Sequence, residues 1–136
     1  MTARARVLLL DDSEQVHDRV RRAFEHAPVT VTATGSLAQV QADVLSATPP
    51  DLLILDLEMP ILSGSLVGRA LKRRAAIPIV LYSSESTERL REMVDFIGAE
   101  AAVSKSAPDQ ELVDTVLRVL RSRPAGASCA SGGGRS

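Results

Sequence analysis

The chain has 136 residues, 45% of them hydrophobic, and this length and composition predict one globular domain with a single core. Its 16 basic and 17 acidic residues give a net charge of -1, which argues against a nucleic acid or an acidic membrane as partner. The single cysteine, Cys129, excludes an internal disulfide and fits the cytoplasm. We predict no signal peptide and no membrane-spanning segment, because the first apolar run, 7–10, is short and is followed by two acids.

Five strands are predicted, each from a short run of residues. In chain order, 7–10 is an apolar run, and 29–32 alternates Val with Thr, which indicates a strand with one more exposed face. The runs 52–55 and 79–82 are rich in Val, Leu and Ile and, like 7–10, indicate strands buried on both faces. A weaker run at 101–103 predicts the fifth strand.

Between and after the strands, apolar residues recur at helical spacing. The first helix is predicted after Ser13 and the second after Ser36, because serine is a favoured N-cap residue. The third pattern, 65–75, is weaker because a glycine lies inside it. Two further helices are predicted around 90–97 and from Pro108 onward. This alternation of strand and helix predicts a parallel sheet with helices on both faces and right-handed crossovers.

The last residues differ in composition from the rest of the chain. From Pro124 the sequence reads "PAGASCASGGGRS", which is Gly, Ser and Ala without an apolar face to bury. We therefore predict one domain, residues 1–123, followed by a flexible tail, residues 124–136.

Polar side chains end four of the five predicted strands. They are Asp11 and Asp12, Asp56, Ser83 and Ser84, and Lys105. The carboxyl ends of parallel strands meet at one edge of the sheet, where sites form in α/β folds. The sequence therefore predicts an acidic pocket flanked by a hydroxyl and an ammonium group.

The chemistry of this pocket points to a metal ion and a phosphoryl group. Neighbouring carboxylates repel one another unless a cation is present, and Mg²⁺ prefers oxygen ligands of the kind that Asp12, Asp56 and the backbone carbonyl of Glu58 would supply. A carboxylate beside Mg²⁺ can attack phosphorus, so Asp56 is the predicted phosphoacceptor. Lys105 and the Ser83 hydroxyl would bind the oxygens of the transferred group. Ser84 is a second candidate, since a shift of one residue exchanges the two serines.

Four motifs in order resemble the receiver domain of two-component response regulators. "LLLDD" is similar to that family's metal-binding acidic pair, and "LDLEMPILSG" to its phosphoacceptor loop, with Asp56, Pro60 and Gly64 in register. "IPIVLYSS" resembles the segment that carries the switch hydroxyl, and "GAEAAVSK" the segment that carries the family's lysine. The resemblance extends to about Arg121.

The resemblance implies both a fold and a function. The fold would be a flavodoxin-like, doubly wound (βα)5 three-layer sandwich with strand order 2-1-3-4-5. The metal site would be Asp11, Asp12, Asp56 and the carbonyl of Glu58, binding Mg²⁺. The phosphoryl donor would be a histidine kinase or histidine phosphotransfer protein, and a downstream target protein would bind the modified surface. The protein would be a monomer or weak dimer. Because no output domain is predicted, we expect a stand-alone switch and not an enzyme.

Two residues depart from the family pattern, both near Lys105. The family usually has an aromatic residue three positions before the lysine, where this chain has Ala102, and a proline after it, where this chain has Ser106. The phosphorylation chemistry does not need either residue. We expect a changed route of signalling away from the site.

Other interpretations of the same residues remain open. Asp11 and Asp12 could serve only as acids near a helix N-terminus, although Ser13 already covers that role. A pseudo-receiver would keep the fold as a docking module without phosphorylation. An aspartate-nucleophile phosphatase of the haloacid dehalogenase type would place a second acid two residues after the nucleophile, where this chain has Glu58. His17 is predicted to be a plain surface histidine, and Tyr82 to lie on the opposite face of its strand from Ser83.

Overall fold

The computed structural model describes residues 4–59 and 63–122. The elements in chain order are β1 Ala5–Leu10, α1 Glu14–Ala23, β2 Val29–Thr34, α2 Leu37–Val44, β3 Leu52–Leu55, α3 Gly64–Arg74, β4 Ile79–Ser83, α4 Thr87–Ile97, β5 Ala101–Ser104 and α5 Asp109–Ser122. The strands form one parallel sheet in the order β2-β1-β3-β4-β5. The predicted flavodoxin-like, doubly wound topology is confirmed.

The sheet separates two apolar layers. On one face, α1 and α5 cover alternate strand residues such as Leu9 and Tyr82. On the other face, α2, α3 and α4 cover the intervening residues, such as Leu10 and Leu81. Successive residues of a strand point to opposite faces, so the continuous apolar runs fill both layers. The result is the predicted three-layer sandwich.

Strand registers bring the carboxyl ends of the sheet to one edge. Leu10 of β1 pairs with Leu55 of β3, and Ser83 of β4 pairs with Ser104 of β5. The residues that follow these strands therefore begin from a common edge. This is the edge at which the sequence predicts the site.

Four of the five helices have a serine as their N-cap residue. The serine side chains each accept a hydrogen bond from a backbone N–H group that has no partner inside the helix. They accept hydrogen bonds in four pairs: Ser13 from the N–H of Val16, Ser36 from Gln39, Ser63 from Leu66, and Ser86 from Arg89. The sequence indicated the first two. The caps Ser63 and Ser86 were not predicted, because the helical pattern after Ser63 is weak and the helix after Ser86 begins with charged residues.

The weakly predicted third helix is present as α3, and its internal glycine has a packing role. A Cβ atom on Gly68 would lie 2.8 Å from Leu55 Cδ2 and 3.0 Å from Ile97 Cγ2. The glycine that lowers helix propensity is thus the residue that lets α3 approach β3 and α4 closely.

Some predictions fall outside the described ranges. These are the placement of Pro60 in the phosphoacceptor loop, the domain end at residue 123, and the tail 124–136 with Cys129. Among helices of the described ranges, we find none that combines the length and apolar character needed to cross a membrane.

Candidate functional site

Backbone hydrogen bonds fix two aspartates just beyond the strand ends. The N–H of Asp11 donates to Thr34 O over 3.1 Å, and the N–H of Asp56 donates to Leu10 O over 3.0 Å. Both extend the pairing of the sheet by one residue. Asp11 is 0% exposed and Asp56 is 2% exposed, whereas Asp12 faces solvent. The carboxylates of Asp11 and Asp56 are therefore held in a protected position with little freedom.

The three aspartates form one cluster with Lys105. Carboxylate oxygens of Asp11, Asp12 and Asp56 lie within 4.8 Å of one another. Lys105 Nζ donates to Asp11 Oδ2 over 2.9 Å and to Asp56 Oδ1 over 3.2 Å. The N–H of Lys105 donates to Ser83 O over 2.8 Å, which holds this lysine beside β4. The structure thus brings together four of the residues that the sequence predicts.

Burial and neighbouring charges shift the pKa values of the two central groups. Burial raises the pKa of Asp56, and the charge of Asp11 raises it further, against the lowering effect of the Glu58 N–H and of Lys105. Burial alone would lower the pKa of Lys105, but its contacts with Asp11 and Asp56 outweigh burial and leave that pKa raised. The site therefore favours the charged form of Lys105 and disfavours the charged form of Asp56.

The donor set fits a hard divalent cation. Three carboxylates within reach of one ion supply the oxygen ligands and the negative charge that Mg²⁺ favours. Glu58 belongs to the same loop, since its N–H donates to Asp56 Oδ1 over 3.0 Å. Asp11, Asp12, Asp56 and the backbone carbonyl of Glu58 are the residues that could hold Mg²⁺ here.

The two serines at the end of β4 differ in their surroundings. Ser83 is the last residue of the strand and is fully buried, and its Oγ accepts the N–H of Glu85 over 3.2 Å. Ser84 is exposed, and its N–H donates to Glu58 Oε1 over 3.1 Å. Neither hydroxyl bonds Asp56 or Lys105 within the described residues. Of the two hydroxyls, that of Ser83 is therefore the one enclosed at the end of β4.

A glycine allows α3 to start close to the acidic loop. A Cβ atom on Gly64 would lie 2.6 Å from Leu57 Cα and 2.7 Å from Asp56 O. Such distances to backbone atoms leave no room for a side chain. Gly64 therefore contributes to the site by letting the start of α3 lie against the backbone of Asp56 and Leu57. The sequence motif includes this glycine but does not explain why it is needed.

His17 was predicted to be a plain surface histidine, and the structure differs. Its ring is half-buried, and its Nε2 lies 2.5 Å from the carbonyl oxygen of Asp11. Because a carbonyl can only accept, Nε2 carries the proton. His17 thus braces the backbone of Asp11. The only signal in the sequence was its position in the first turn of the helix that follows the acidic pair.

A second feature missed at the sequence level lies on the α1 and α5 side of the site. Tyr82 is 2% exposed, and its ring centroid lies 5.8 Å from Lys105 Nζ and 6.0 Å from Arg19 Cζ. Arg19 Nε in turn donates to Asp109 Oδ1 over 2.7 Å. The prediction that Tyr82 lies opposite Ser83 is confirmed, since its ring packs in the layer under α1 and α5.

Comparisons with known proteins agree with this geometry. The family model described as the response regulator receiver domain matches residues 7–117. The solved signal receiver domain of a candidate Luxo repressor protein from Vibrio parahaemolyticus is 22% identical with a TM-score of 0.80, covering 96% of this chain and 99% of that one. A solved response regulator receiver protein from Burkholderia phymatum is 30% identical with a TM-score of 0.74, covering 90% of this chain and 99% of that one.

Curated relatives extend beyond the region of similarity. The TorCAD operon transcriptional regulatory protein TorR of Escherichia coli O157:H7 is 29% identical over 115 residues, which are 84% of this chain and 49% of that protein. The chain spans about half of the length of this relative and of the similarly matched sensory transduction protein RegX3 of Mycobacterium tuberculosis.

Proposed function

The chain belongs to the response regulator receiver domain family of two-component signalling, and from this premise we propose that it accepts a phosphoryl group on Asp56. The donor in this proposal is a histidine kinase or a histidine phosphotransfer protein. The observation that carries the proposal is the position of Asp56, which is buried between an acidic pair and the ammonium group of Lys105.

The hydrogen bonds at Asp56 suggest which oxygen attacks. Glu58 N–H and Lys105 Nζ both donate to Oδ1, and Oδ2 accepts no hydrogen bond from residues 4–59 or 63–122. We assign the attack on phosphorus to Oδ2, which forms the new O–P bond as the P–N bond of the donor phosphohistidine breaks. The electron pair of that bond stays with the leaving imidazole.

The surrounding groups position the reaction and stabilise its charge. Mg²⁺, when bound by the acidic cluster, supplies positive charge next to the phosphoryl oxygens. Lys105 already lies within 3.2 Å of Asp56 and needs to move little to bind an oxygen of the incoming group.

Phosphorylation then changes the loop between β4 and α4. A phosphoryl group adds about 1.5 to 2 negative charges and several strong acceptors. In the unmodified protein, Ser83 Oγ accepts a hydrogen bond from the Glu85 N–H. The hydroxyl proton of Ser83 is therefore available to donate to a phosphoryl oxygen. A downstream target protein binding this altered surface is the output that we propose.

The two alternative functions have less support from the residues present. A pseudo-receiver would be expected to lack an acid or the lysine, and Asp11, Asp12, Asp56 and Lys105 are all in one cluster. In a phosphatase, the acid two residues after the nucleophile would serve as proton donor, but the carboxylate of Glu58 accepts the N–H of Ser84. We therefore favour a phosphoacceptor without turnover of a separate substrate. The cytoplasm is the compartment that we propose, because a single cysteine fits a reducing environment.

Intact-mass measurement after incubation with acetyl phosphate and Mg²⁺ tests the proposal. We expect one added phosphoryl group on the parent, none on Asp56→Asn, and a normal gain on the matched control Asp114→Asn, whose carboxylate lies on α5 and accepts only from Gln110 among described side chains. Equal labelling of Asp56→Asn would show that another residue is the acceptor.

A further inference from the structure

Tyr82 lies between the candidate phosphorylation site and the outer layer formed by α1 and α5. It is the residue before Ser83 in β4, and it belongs to the same buried cluster as Val20 of α1 and Leu112 of α5. Two cations lie over this ring, Lys105 Nζ at 5.8 Å and Arg19 Cζ at 6.0 Å from its centroid. Both distances fall within the range of about 6 Å over which a ring face attracts a cation.

Each of these cations is held by a different set of acceptors. Lys105 donates to Asp11 and Asp56 in the site. Arg19 donates from Nε to Asp109 Oδ1 over 2.7 Å, at the first residue of α5, and from Nη2 to Ala107 O over 3.3 Å, in the loop before α5. The ring of Tyr82 is therefore near one cation that bonds the acidic cluster, Lys105, and one that links α1 to α5, Arg19.

The ring of Tyr82 is within cation–π range of both Arg19 and Lys105. The hydroxyl of Tyr82 has no hydrogen-bond partner in the part of the chain that the structure describes, although a buried tyrosine hydroxyl usually finds one. Without such a partner, the buried hydroxyl of Tyr82 adds no hydrogen bond to the stability of the core. The ring face, by contrast, gives a long and flexible lysine side chain a defined surface to rest on.

We propose that Tyr82 is a positioning residue for Lys105. The ring helps to hold the ammonium group over the acidic cluster, so that Lys105 is poised to bind a phosphoryl oxygen. The inference rests on the proposed phosphoacceptor function for the role of Lys105, but the contact between ring and ammonium is independent of it.

Beryllofluoride, a phosphoryl mimic, allows the role of the ring to be measured. We expect Tyr82→Phe to bind beryllofluoride in the presence of Mg²⁺ within about twofold of the parent, and Tyr82→Leu to bind about three- to tenfold more weakly, as befits the loss of a partly desolvated cation–π contact. Calorimetric affinity for Mg²⁺ alone should not fall in either variant, because the ring does not lie over the carboxylates and a displaced ammonium group would remove a competing cation from Asp11 and Asp56.

A matched control separates positioning from packing. Val80→Ala removes apolar volume from the same strand and the same core layer and should leave beryllofluoride affinity unchanged. The proposal is wrong if Tyr82→Leu binds beryllofluoride like the parent, if Tyr82→Phe loses as much as Tyr82→Leu, if Val80→Ala loses as much, or if Mg²⁺ affinity falls in parallel.

A second measurement needs no substitution in the core. Tyr82 is the one tyrosine of the chain, which has no tryptophan, so the protein's tyrosine emission reports on this ring alone. Lys105→Ala should change the emission intensity of the folded protein, and Arg118→Ala, an exposed cation of α5, should not. An unchanged emission in Lys105→Ala would overturn the proposed contact. A parent protein that fails to bind beryllofluoride would instead refute the phosphoacceptor function, and the emission comparison would still decide the ring contact.

Discussion

The buried charge of Asp56 should make the parent protein less stable than its Asp56→Asn variant when no metal is present. Burial raises the pKa of Asp56, and the charge of Asp11 adds to the effect, which means that the folded state favours the neutral acid. Asparagine keeps the oxygen that accepts the Glu58 N–H and nearly the same volume. The substitution therefore removes the charge and little else.

The magnitude follows from the distances at the site. With an effective dielectric constant of about 20, the repulsion from Asp11 at no more than 4.8 Å costs at least about 3.5 kcal/mol, and the attraction to Lys105 at 3.2 Å returns about 5 kcal/mol. Removing a carboxylate from water costs several kcal/mol more. The net penalty on the charged form is of the order of 1 to 2 kcal/mol, and Asp56→Asn should gain about that free energy of unfolding.

Urea denaturation followed by circular dichroism in EDTA measures this gain. The midpoint of Asp56→Asn should exceed that of the parent by about 1 M, given a typical dependence on urea of 1 to 3 kcal/mol per molar. Asp114→Asn makes the same chemical change on the surface of α5 and should leave the midpoint unchanged. A lower midpoint for Asp56→Asn than for the parent would show that the ion pair with Lys105 outweighs burial, and the reasoning would fail.

The same reasoning fixes the sign of the pH dependence. An acid whose pKa is raised in the folded state destabilises that state fully above the raised value. The penalty is relieved as the pH falls through that value toward the ordinary aspartate pKa. The difference in unfolding free energy between Asp56→Asn and the parent should therefore shrink on acidification. A difference that grows at lower pH would contradict the direction of the shift.

Three further predictions concern the metal, the switch and the loop. Asp12→Ala should weaken Mg²⁺ binding and phosphorylation together, and should be stabilised less by Mg²⁺ than the parent in paired urea titrations; equal stabilisation would rule out a metal site at this cluster. Amide shifts on adding beryllofluoride should be large in 83–87 and at the start of α4 and small at Ala102, which has no ring to move; the opposite distribution would refute this route. Gly64→Ala should lower the free energy of unfolding by about 1 to 3 kcal/mol through overpacking, while Gly35→Ala, where a Cβ atom would meet nothing nearer than 3.5 Å, should cost far less in the same urea titration.

The sequence predicts those parts of the structure that depend on neighbours along the chain. Apolar runs that end on an acid or a serine locate both the strands and their polar ends, so the sequence alone predicts that Asp56 and Lys105 lie at the same edge of the sheet. The glycine of α3 only weakened the helix prediction, and its packing role cannot be predicted from the sequence, because the close packing of Gly68 against Ile97 involves residues far apart in the chain. The contact of Arg19 with Asp109 was missed for the same reason. A spacing rule cannot find a pair separated by 90 positions.

The four serine-capped helices have an electrostatic consequence for the site. Each begins in a loop that leaves the carboxyl edge of the sheet, so each directs the positive end of its peptide dipoles toward that edge. The charge equivalent is about half a unit per helix, and it acts mainly within the first turn. Peptide groups near the pocket therefore offset part of the repulsion that three carboxylates present to an arriving dianion. This share of the attraction is a property of the path of the backbone, and no side-chain substitution removes it.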